Sequence, residues 1–128
     1  MTRTPLRKQS KSPVKESDIQ RAICEWLDWK KRDFWRNNTS PVVQRDSYGF
    51  RMRAMPKYAK KGVPDIFVML PKRMVFLEVK RPNGILSPDQ KMFRAMCERN
   101  EHGYYVVRSV EETEEALKSE LKKLKAEE

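Results

Sequence analysis

The clearest fold signal in the sequence is DIFVMLPKRMVFLEVK, residues 65–80. It contains two apolar runs of strand length, 65–70 and 75–80, with a polar break at 71–73 between them. Short runs rich in β-branched and aromatic residues on both sides of a tight turn are typical of an antiparallel hairpin. We therefore predict that residues 65–80 form a hairpin.

Upstream of the hairpin, the spacing of apolar residues predicts a helix over 17–31 with one buried stripe. Ser17 and Gln20 have the spacing of a capping box, which places the helix start near Ser17. The stretch 34–55 mixes aromatic, Asn and Arg residues with a glycine turn. We predict one or two short strands with a long connection there.

Downstream of the hairpin, Ser87, Pro88 and Gln90 are typical of a capped helix start. The further predicted elements are a helix over 88–102 that ends at Gly103, a strand over 104–107 and a last helix capped by Ser109. The order of helix, strands, helix, strand and helix predicts a mixed α/β fold with a small sheet flanked by helices.

The composition narrows the class of protein. The chain has 128 residues, which is the length of one ordinary domain, and a formal net charge of +10 from 28 basic and 18 acidic residues. Its longest wholly apolar stretch, 66–70, is far shorter than a membrane span, and two cysteines are too few for a disulfide scaffold. We expect an intracellular, cytoplasmic protein without a membrane segment, whose partner is a polyanion.

The positive charge is concentrated in two places. Residues 1–15 contain five basic residues and no acid, which predicts a flexible basic arm before a single domain over 16–128. Residues 51–61 contain five more basic residues and no acid, and they lead directly to the hairpin. A basic loop in that place is suited to gripping the phosphates of a nucleic acid, although a solvated loop has the same composition.

Two acids interrupt the otherwise apolar hairpin. Alternation along the second strand puts Glu78 and Lys80 on one face, and the hairpin can place Asp65 beside Glu78. Two carboxylates offer hard oxygen ligands to Mg²⁺ or Mn²⁺, and a nearby lysine can orient or deprotonate a water molecule. The set suits phosphodiester hydrolysis, but on spacing alone a solvated Glu–Lys pair remains an open interpretation.

The context of these residues resembles a known family. The residues that carry the resemblance are Gly62-Val63-Pro64-Asp65, Phe76-Leu77-Glu78-Val79-Lys80-Arg81-Pro82, Gly84 and Leu86-Ser87-Pro88-Asp89-Gln90. Together they resemble the core of a VRR-NUC nuclease of the PD-(D/E)XK superfamily, over residues 16–112. The chain is most similar to the stand-alone phage and bacterial members. The resemblance implies a restriction-endonuclease-like core.

The resemblance also implies roles for individual residues. Asp65 and Glu78 match the metal-binding carboxylates, and the backbone carbonyl of Val79 would complete the inner shell. Lys80 matches the motif lysine, and Gln90 matches a glutamine that helps to orient the attacking water or the lysine. Glu16 matches an acid of the first helix that acts through a metal-bound water, with Asp18 and Gln20 as competitors for this role. Capping of their helices is the alternative for Gln90 and for Gln20.

Basic and polar residues around the motif are candidates for DNA contact, because phosphates and sugars are bound by such side chains. These candidates are Arg36, Asn37, Arg51, Arg53, Lys57, Lys60, Lys61 and Arg81. For the segment 35–39 the alternative is a buried tryptophan followed by an ordinary polar turn.

The expected function is that of an Mg²⁺- or Mn²⁺-dependent DNA endonuclease that leaves 5′-phosphate and 3′-hydroxyl ends. The resemblance suggests branched DNA such as a Holliday junction as the substrate. Since one such domain has one site and a junction needs two cuts, we expect a symmetric homodimer. The alternatives are a nicking or flap-type nuclease, a DNA-binding module without catalysis, and a basic phage structural or packaging protein.

Overall fold

A computed structural model describes residues 14–37, 43–46, 49–52 and 57–128. The elements in chain order are α1 (Glu16–Trp29), β1 (Asp33–Arg36), β2 (Val43–Asp46), β3 (Gly49–Met52), β4 (Ile66–Leu70), β5 (Arg73–Val79), α2 (Pro88–Arg99), β6 (Gly103–Val107) and α3 (Val110–Ala126). Of the predicted basic arm, residues 1–13 lie outside the described part of the chain.

The predicted hairpin is β4 and β5, which pair antiparallel from Leu70 opposite Arg73 to Ile66 opposite Leu77. Its turn is made by Pro71 and Lys72, and Lys72 takes the left-handed conformation with a φ of 69°. The inward residues of β5 are apolar and almost fully buried, so the hairpin is held by its contacts with the core as well as by its turn.

The hairpin lies in the middle of a four-stranded sheet with the order β1-β4-β5-β6. β1 runs antiparallel to β4, whereas β6 runs parallel to β5, because α2 carries the chain back across the sheet. β2 and β3 form a separate antiparallel pair. The prediction of one or two strands over 34–55 was therefore wrong, since this region contributes to three.

Helices cover both faces of the sheet, and this arrangement confirms the mixed α/β prediction. α1 and α3 pack on one face, where Ile23, Leu27 and Leu117 join the inward residues of the hairpin in the main core. α2 lies on the other face, where the Phe93 ring meets the Phe76 ring edge-on with centroids 5.4 Å apart. The part of α2 nearest the end of β5 is thereby held over the polar residues of that strand.

The starts of α2 and α3 follow the sequence prediction, but the start of α1 does not. Ser87 caps α2 in a full capping box with Gln90, and the Ser109 side chain accepts a hydrogen bond from the Glu112 amide. α1 begins at Glu16 after Lys15, with no side-chain cap, so the predicted Ser17 capping box was wrong. Ser17 lies inside the first turn, where acids on either side of it favour the helix dipole.

Gly103 was also predicted wrongly as the end of the second helix. α2 ends at Arg99, and the chain reverses at Glu101, whose φ is 60°. Gly103 instead begins β6, where a β-carbon would lie 3.0 Å from the Glu120 carboxyl carbon. The glycine is needed for close packing of β6 against α3, and not for the end of the helix. Within the described ranges, no helix is long and apolar enough to cross a membrane.

Candidate functional site

Asp65 lies immediately before β4, at the edge of the sheet where β4 and β5 end their pairing. Its Oδ2 accepts a hydrogen bond from the backbone amide of Val79 at 2.8 Å, and its carbonyl accepts one from the Asn37 amide at 2.8 Å. These two bonds fix the aspartate between β1 and β5. The register of the hairpin then brings its carboxyl group beside that of Glu78.

Glu78 is the buried partner of this pair, with 3% of its surface exposed. Its Oε1 accepts a hydrogen bond from Gln90 Nε2 at 2.8 Å and lies 3.9 Å from Lys80 Nζ. Its Oε2 is buried and has no hydrogen-bond partner. Asp65 can bond to that oxygen only when one of the two carboxyl groups carries a proton, because two carboxylates have no hydrogen to share.

Asp65 and Glu78 are two acids that lie close together with little access to water. Burial, and then the charge of Asp65, raise the pKa of Glu78 to about 8, and Lys80 opposes the rise only in part. Burial also raises the pKa of Asp65, against the hydrogen bond from Val79. Burial and like charge both disfavour the ionised form of these two carboxyl groups.

Gln90 is held in a fixed orientation by its place at the start of α2. Its side-chain Oε1 accepts a hydrogen bond from the Ser87 backbone amide at 2.8 Å, and its backbone amide donates to Ser87 Oγ at 3.2 Å. Because the amide oxygen is bound to Ser87, the Nε2 group must face Glu78. The capping role of Gln90 is confirmed, and the same side chain also bonds to Glu78; its orienting of the attacking water or the lysine stays a prediction.

Two glycines bring the loops of the site close to its functional side chains. Gly62 has a φ of +75°, and a β-carbon there would lie 2.7 Å from the Gln90 amide nitrogen and would also clash with the Asp89 carbonyl group. At Gly84 a β-carbon would lie 3.2 Å from Cβ of Lys80. Arg108 donates to the Gly84 carbonyl at 3.1 Å and holds this second loop against β6.

Glu16 is exposed at the first position of α1, and its charge contributes to the raised pKa values of Asp65 and Glu78. Its two competitors are engaged elsewhere: Asp18 pairs with Arg21 at 3.1 Å, and Gln20 accepts a bond from Arg36. Glu16 is near the pair without joining it, since within the described residues no three His, Cys, Asp or Glu side chains gather into a metal cluster.

The predicted DNA contacts lie around this site to different extents. Lys57, Lys60, Lys61 and Arg81 are exposed, and the last of them directly follows Lys80. Arg36 is exposed and donates to Gln20 at 3.2 Å, and Asn37 lies beside it at the Asp65 backbone. Arg51 belongs to β3, but its side chain lies outside the described part of the chain, and so does the whole of Arg53.

The residues present fit a divalent cation. Asp65 and Glu78 offer hard carboxylate oxygens of the kind that Mg²⁺ and Mn²⁺ prefer, and the second oxygen of Glu78 has no donor of its own. A bound cation would satisfy that oxygen and remove the repulsion between the two acids. A buried carboxylate pair without a compensating cation is otherwise an expensive arrangement.

Sequence reasoning missed some residues that shape the site. It considered only the carbonyl of Val79, whereas the amide of that residue binds Asp65. It treated Ser87 as a helix cap alone, although the backbone amide of Ser87 also orients the Gln90 side chain. The spacing of three between Ser87 and Gln90 is visible in the sequence, but the approach of the Val79 amide depends on how β4 and β5 separate.

The part of the chain that carries this site is similar to a known domain family. Residues 14–111 match the family model of the VRR-NUC domain. A solved structure titled "VRR_NUC domain" is similar to the chain with 21% identity and a TM-score of 0.53, over 80% of this chain and 94% of that chain. At this identity the likeness shows a shared fold. No curated protein matches the chain.

Proposed function

We propose that this chain, which belongs to the VRR-NUC family, is an Mg²⁺- or Mn²⁺-dependent DNA endonuclease. Membership of the family makes it a nuclease, and DNA is the substrate that this implies. The observation that carries the dependence on a metal is the buried Asp65–Glu78 pair, in which one carboxylate oxygen has no donor.

The proposed cation site consists of Asp65, Glu78 and the carbonyl of Val79, with Glu16 acting through a water molecule. When bound, Mg²⁺ or Mn²⁺ supplies charge that stabilises the phosphate and makes a water molecule more acidic. The chain contributes the geometry: the Val79 amide fixes Asp65, and Gln90 fixes Glu78. Preorganised ligands of this kind need no rearrangement during the reaction.

Lys80 is the proposed group that handles the attacking water. Its Nζ lies 3.9 Å from Glu78 Oε1, and 12% of its side chain is exposed, so it borders both the carboxylate pair and the open side of the site. From there it can orient the water or accept its proton, and as a cation it can stabilise charge on the phosphate. The products would be 5′-phosphate and 3′-hydroxyl ends.

The exposed basic residues around the site are the proposed DNA grip. Lys57, Lys60 and Lys61 precede Gly62, which packs on the start of α2, so these lysines are held near the helix that carries Gln90. The other proposed contacts are Arg36, Asn37, Arg51, Arg53 and Arg81. Binding through phosphates predicts an affinity that falls steeply as the salt concentration rises.

Selectivity for branched DNA and a symmetric homodimer are the finer parts of the proposal. A four-way junction has two strands to cut, and one domain of this kind provides one site. A nicking or flap-type activity would need only one site. The proposed site of action is the cytoplasm of a bacterial or phage-infected cell.

The test compares the wild type with Asp65→Asn and with the matched control Asp33→Asn. Asp33 is an exposed acid at the far end of β1, three residues from Arg36, so its loss leaves the site unchanged. Each protein is incubated with Mn²⁺ or Mg²⁺ on linear, flapped and four-way DNA, and the ends of the products are mapped.

We expect cleavage by the wild type and by Asp33→Asn, no cleavage by Asp65→Asn, and retained DNA binding in all three. Paired cuts in the four-way substrate, with a dimer in sedimentation, support the junction-specific proposal. Preference for flapped DNA would replace it with the flap-type activity. DNA binding without cleavage by the wild type under either metal would overturn the endonuclease proposal.

A further inference from the structure

The face of the sheet that carries Glu78 also carries Tyr104. β5 and β6 run in parallel register, with Phe76 opposite Tyr104 and Glu78 opposite Val106. Alternate residues of paired strands share a face. Phe76 contacts Phe93 and Glu78 bonds to Gln90, and both partners belong to α2. Tyr104 therefore lies on the side of the sheet that α2 covers, one pair of residues away from Glu78.

The hydroxyl group of Tyr104 is buried and has no hydrogen-bond partner. Within the described part of the chain, the one other buried side-chain oxygen or nitrogen without a partner is Glu78 Oε2. The first group is a donor and the second is an acceptor, and leaving either of them buried and unpaired destabilises the fold. These two unpaired groups are complementary and lie under the same helix, so a single water molecule between them can bond to both.

The electrostatic surroundings of Tyr104 agree with its place on the face of the sheet that carries Glu78. Burial raises the pKa of Tyr104, and the charge of Glu78 is the next largest cause, followed by Cys97. Arg94 of α2 acts in the opposite direction. The hydroxyl group thus lies between the sheet and α2, within electrostatic range of Glu78, although the two oxygens do not bond directly.

We propose that Tyr104 is a positioning residue for Glu78 and acts through one buried water molecule. The tyrosine hydroxyl donates to the water, and the water donates to one lone pair of Glu78 Oε2, which leaves the other lone pair for the proposed cation. Small polar spaces that separate unpaired buried groups typically hold such waters. With Gln90 on Oε1 and the water on Oε2, the carboxylate is fixed from both sides. This inference rests on the proposed metal-dependent function, because the fixed carboxylate is a proposed cation ligand.

The test is the Mn²⁺ affinity of Tyr104→Phe, measured by calorimetry in the absence of DNA. Removal of an indirect support of a metal ligand typically weakens metal binding about tenfold or more, and we expect a rise of about tenfold in the Mn²⁺ dissociation constant. The matched control is Tyr105→Phe, because the Tyr105 hydroxyl bonds to Glu120 on the other face. We expect this control to lose thermal stability and to keep the wild-type Mn²⁺ affinity.

The outcomes separate this inference from the nuclease proposal. Equal Mn²⁺ affinity of the wild type and Tyr104→Phe would overturn the role of Tyr104 and leave the metal site intact. Absence of Mn²⁺ binding by the wild type would overturn both. If Tyr104→Phe fails to fold, a crystal structure of the wild type decides: a water bonded to both oxygens supports the inference, and its absence overturns it.

Discussion

Glu78 and Glu120 are the two nearly fully buried acids of the described chain, with 3% and 1% of their surfaces exposed. Their bonding partners differ. Glu120 of α3 accepts from Arg73 Nη1 at 2.8 Å and from the Tyr105 hydroxyl, and Lys123 Nζ lies 3.9 Å away. Glu78 has one amide donor, one distant lysine and a second acid beside it.

The difference distinguishes Glu120, a structural carboxylate, from Glu78, for which we propose a functional role. The bonds to Glu127 and Glu120 raise the pKa of Arg73, so this end of β5 is tied to α3 by a closed set of charges. At the other end of β5, which we call the open end, Glu78 and Asp65 have no matching set of basic partners among the described residues, because only Lys80 lies near Glu78, at 3.9 Å. A buried acid whose neighbours are acids destabilises the protein by itself, and such a cluster is typical of a site that a cation completes.

We expect the largest effect on stability from a substitution of Glu120, at the end of β5 that is tied to α3. Glu120→Gln removes the charge that faces Arg73 and Lys123 but keeps the size of the side chain. We expect the free energy of unfolding to fall by about 3 kcal/mol, because the bonds from Arg73 and from the Tyr105 hydroxyl to a buried, charged acceptor are weakened. Chemical denaturation of the metal-free protein measures the change. A variant as stable as the wild type would contradict the structural role of Glu120.

The same substitution at Glu78, at the open end of β5, is expected to raise the free energy of unfolding instead of lowering it. Glu78→Gln removes the acid whose pKa is raised to about 8 and keeps its size. Between the usual pKa of a glutamate and pH 8, the unfolded chain releases a proton that the folded chain retains, so stability falls as the pH rises. At pH 8 we expect metal-free Glu78→Gln to exceed the wild type by about 2 kcal/mol.

The check on this prediction is the dependence on pH. The advantage of Glu78→Gln over the wild type should be greatest at pH 8 and above, and should shrink as the pH falls and vanish below 4.5, where Glu78 is protonated in both the folded and the unfolded state. Denaturation of both proteins at a series of pH values measures it. An advantage that does not vary with pH would show that the carboxylate charge is not the cause.

The smallest expected effect concerns the support of Gln90, and α3 offers a matched control. Ser87 and Ser109 each cap a helix by accepting a bond from the amide three residues later. We expect Ser87→Ala and Ser109→Ala to lower the free energy of unfolding by about 1 kcal/mol each. Only Ser87→Ala should also slow DNA cleavage, because loss of the bond from the Gln90 backbone amide to Ser87 Oγ loosens the first turn of α2, from which the Gln90 side chain reaches Glu78. Equal cleavage by the two variants would refute this positioning role.

Local patterns explain which elements the sequence predicts correctly. The 65–80 hairpin and the Ser87 and Ser109 caps depend on residues a few positions apart, and the structure confirms them. The pairing of Glu120 with Arg73 joins residues 47 positions apart, so nothing in the local pattern of α3 distinguishes this glutamate from its exposed neighbours.

The candidate site likewise has some features that the sequence predicts and others that it does not. The alternation of β5 predicts that Glu78 and Lys80 share a face, and the hairpin predicts that Asp65 lies near them. The bond from Val79 to Asp65 and the burial of the Tyr104 hydroxyl depend on how strands end and on what α2 covers. These are tertiary features, and residue spacing does not encode them.

We propose that Asp65 and Glu78, at the end of β5 that carries the candidate site, form a divalent-cation site. The most direct measurement is the shift in melting temperature that saturating Mn²⁺ produces in the wild type, Glu78→Gln and Glu120→Gln. We predict a rise of about 5–10 °C for the wild type, a similar rise for Glu120→Gln and none for Glu78→Gln. An equal shift in all three proteins, or no shift in the wild type, would contradict the claim.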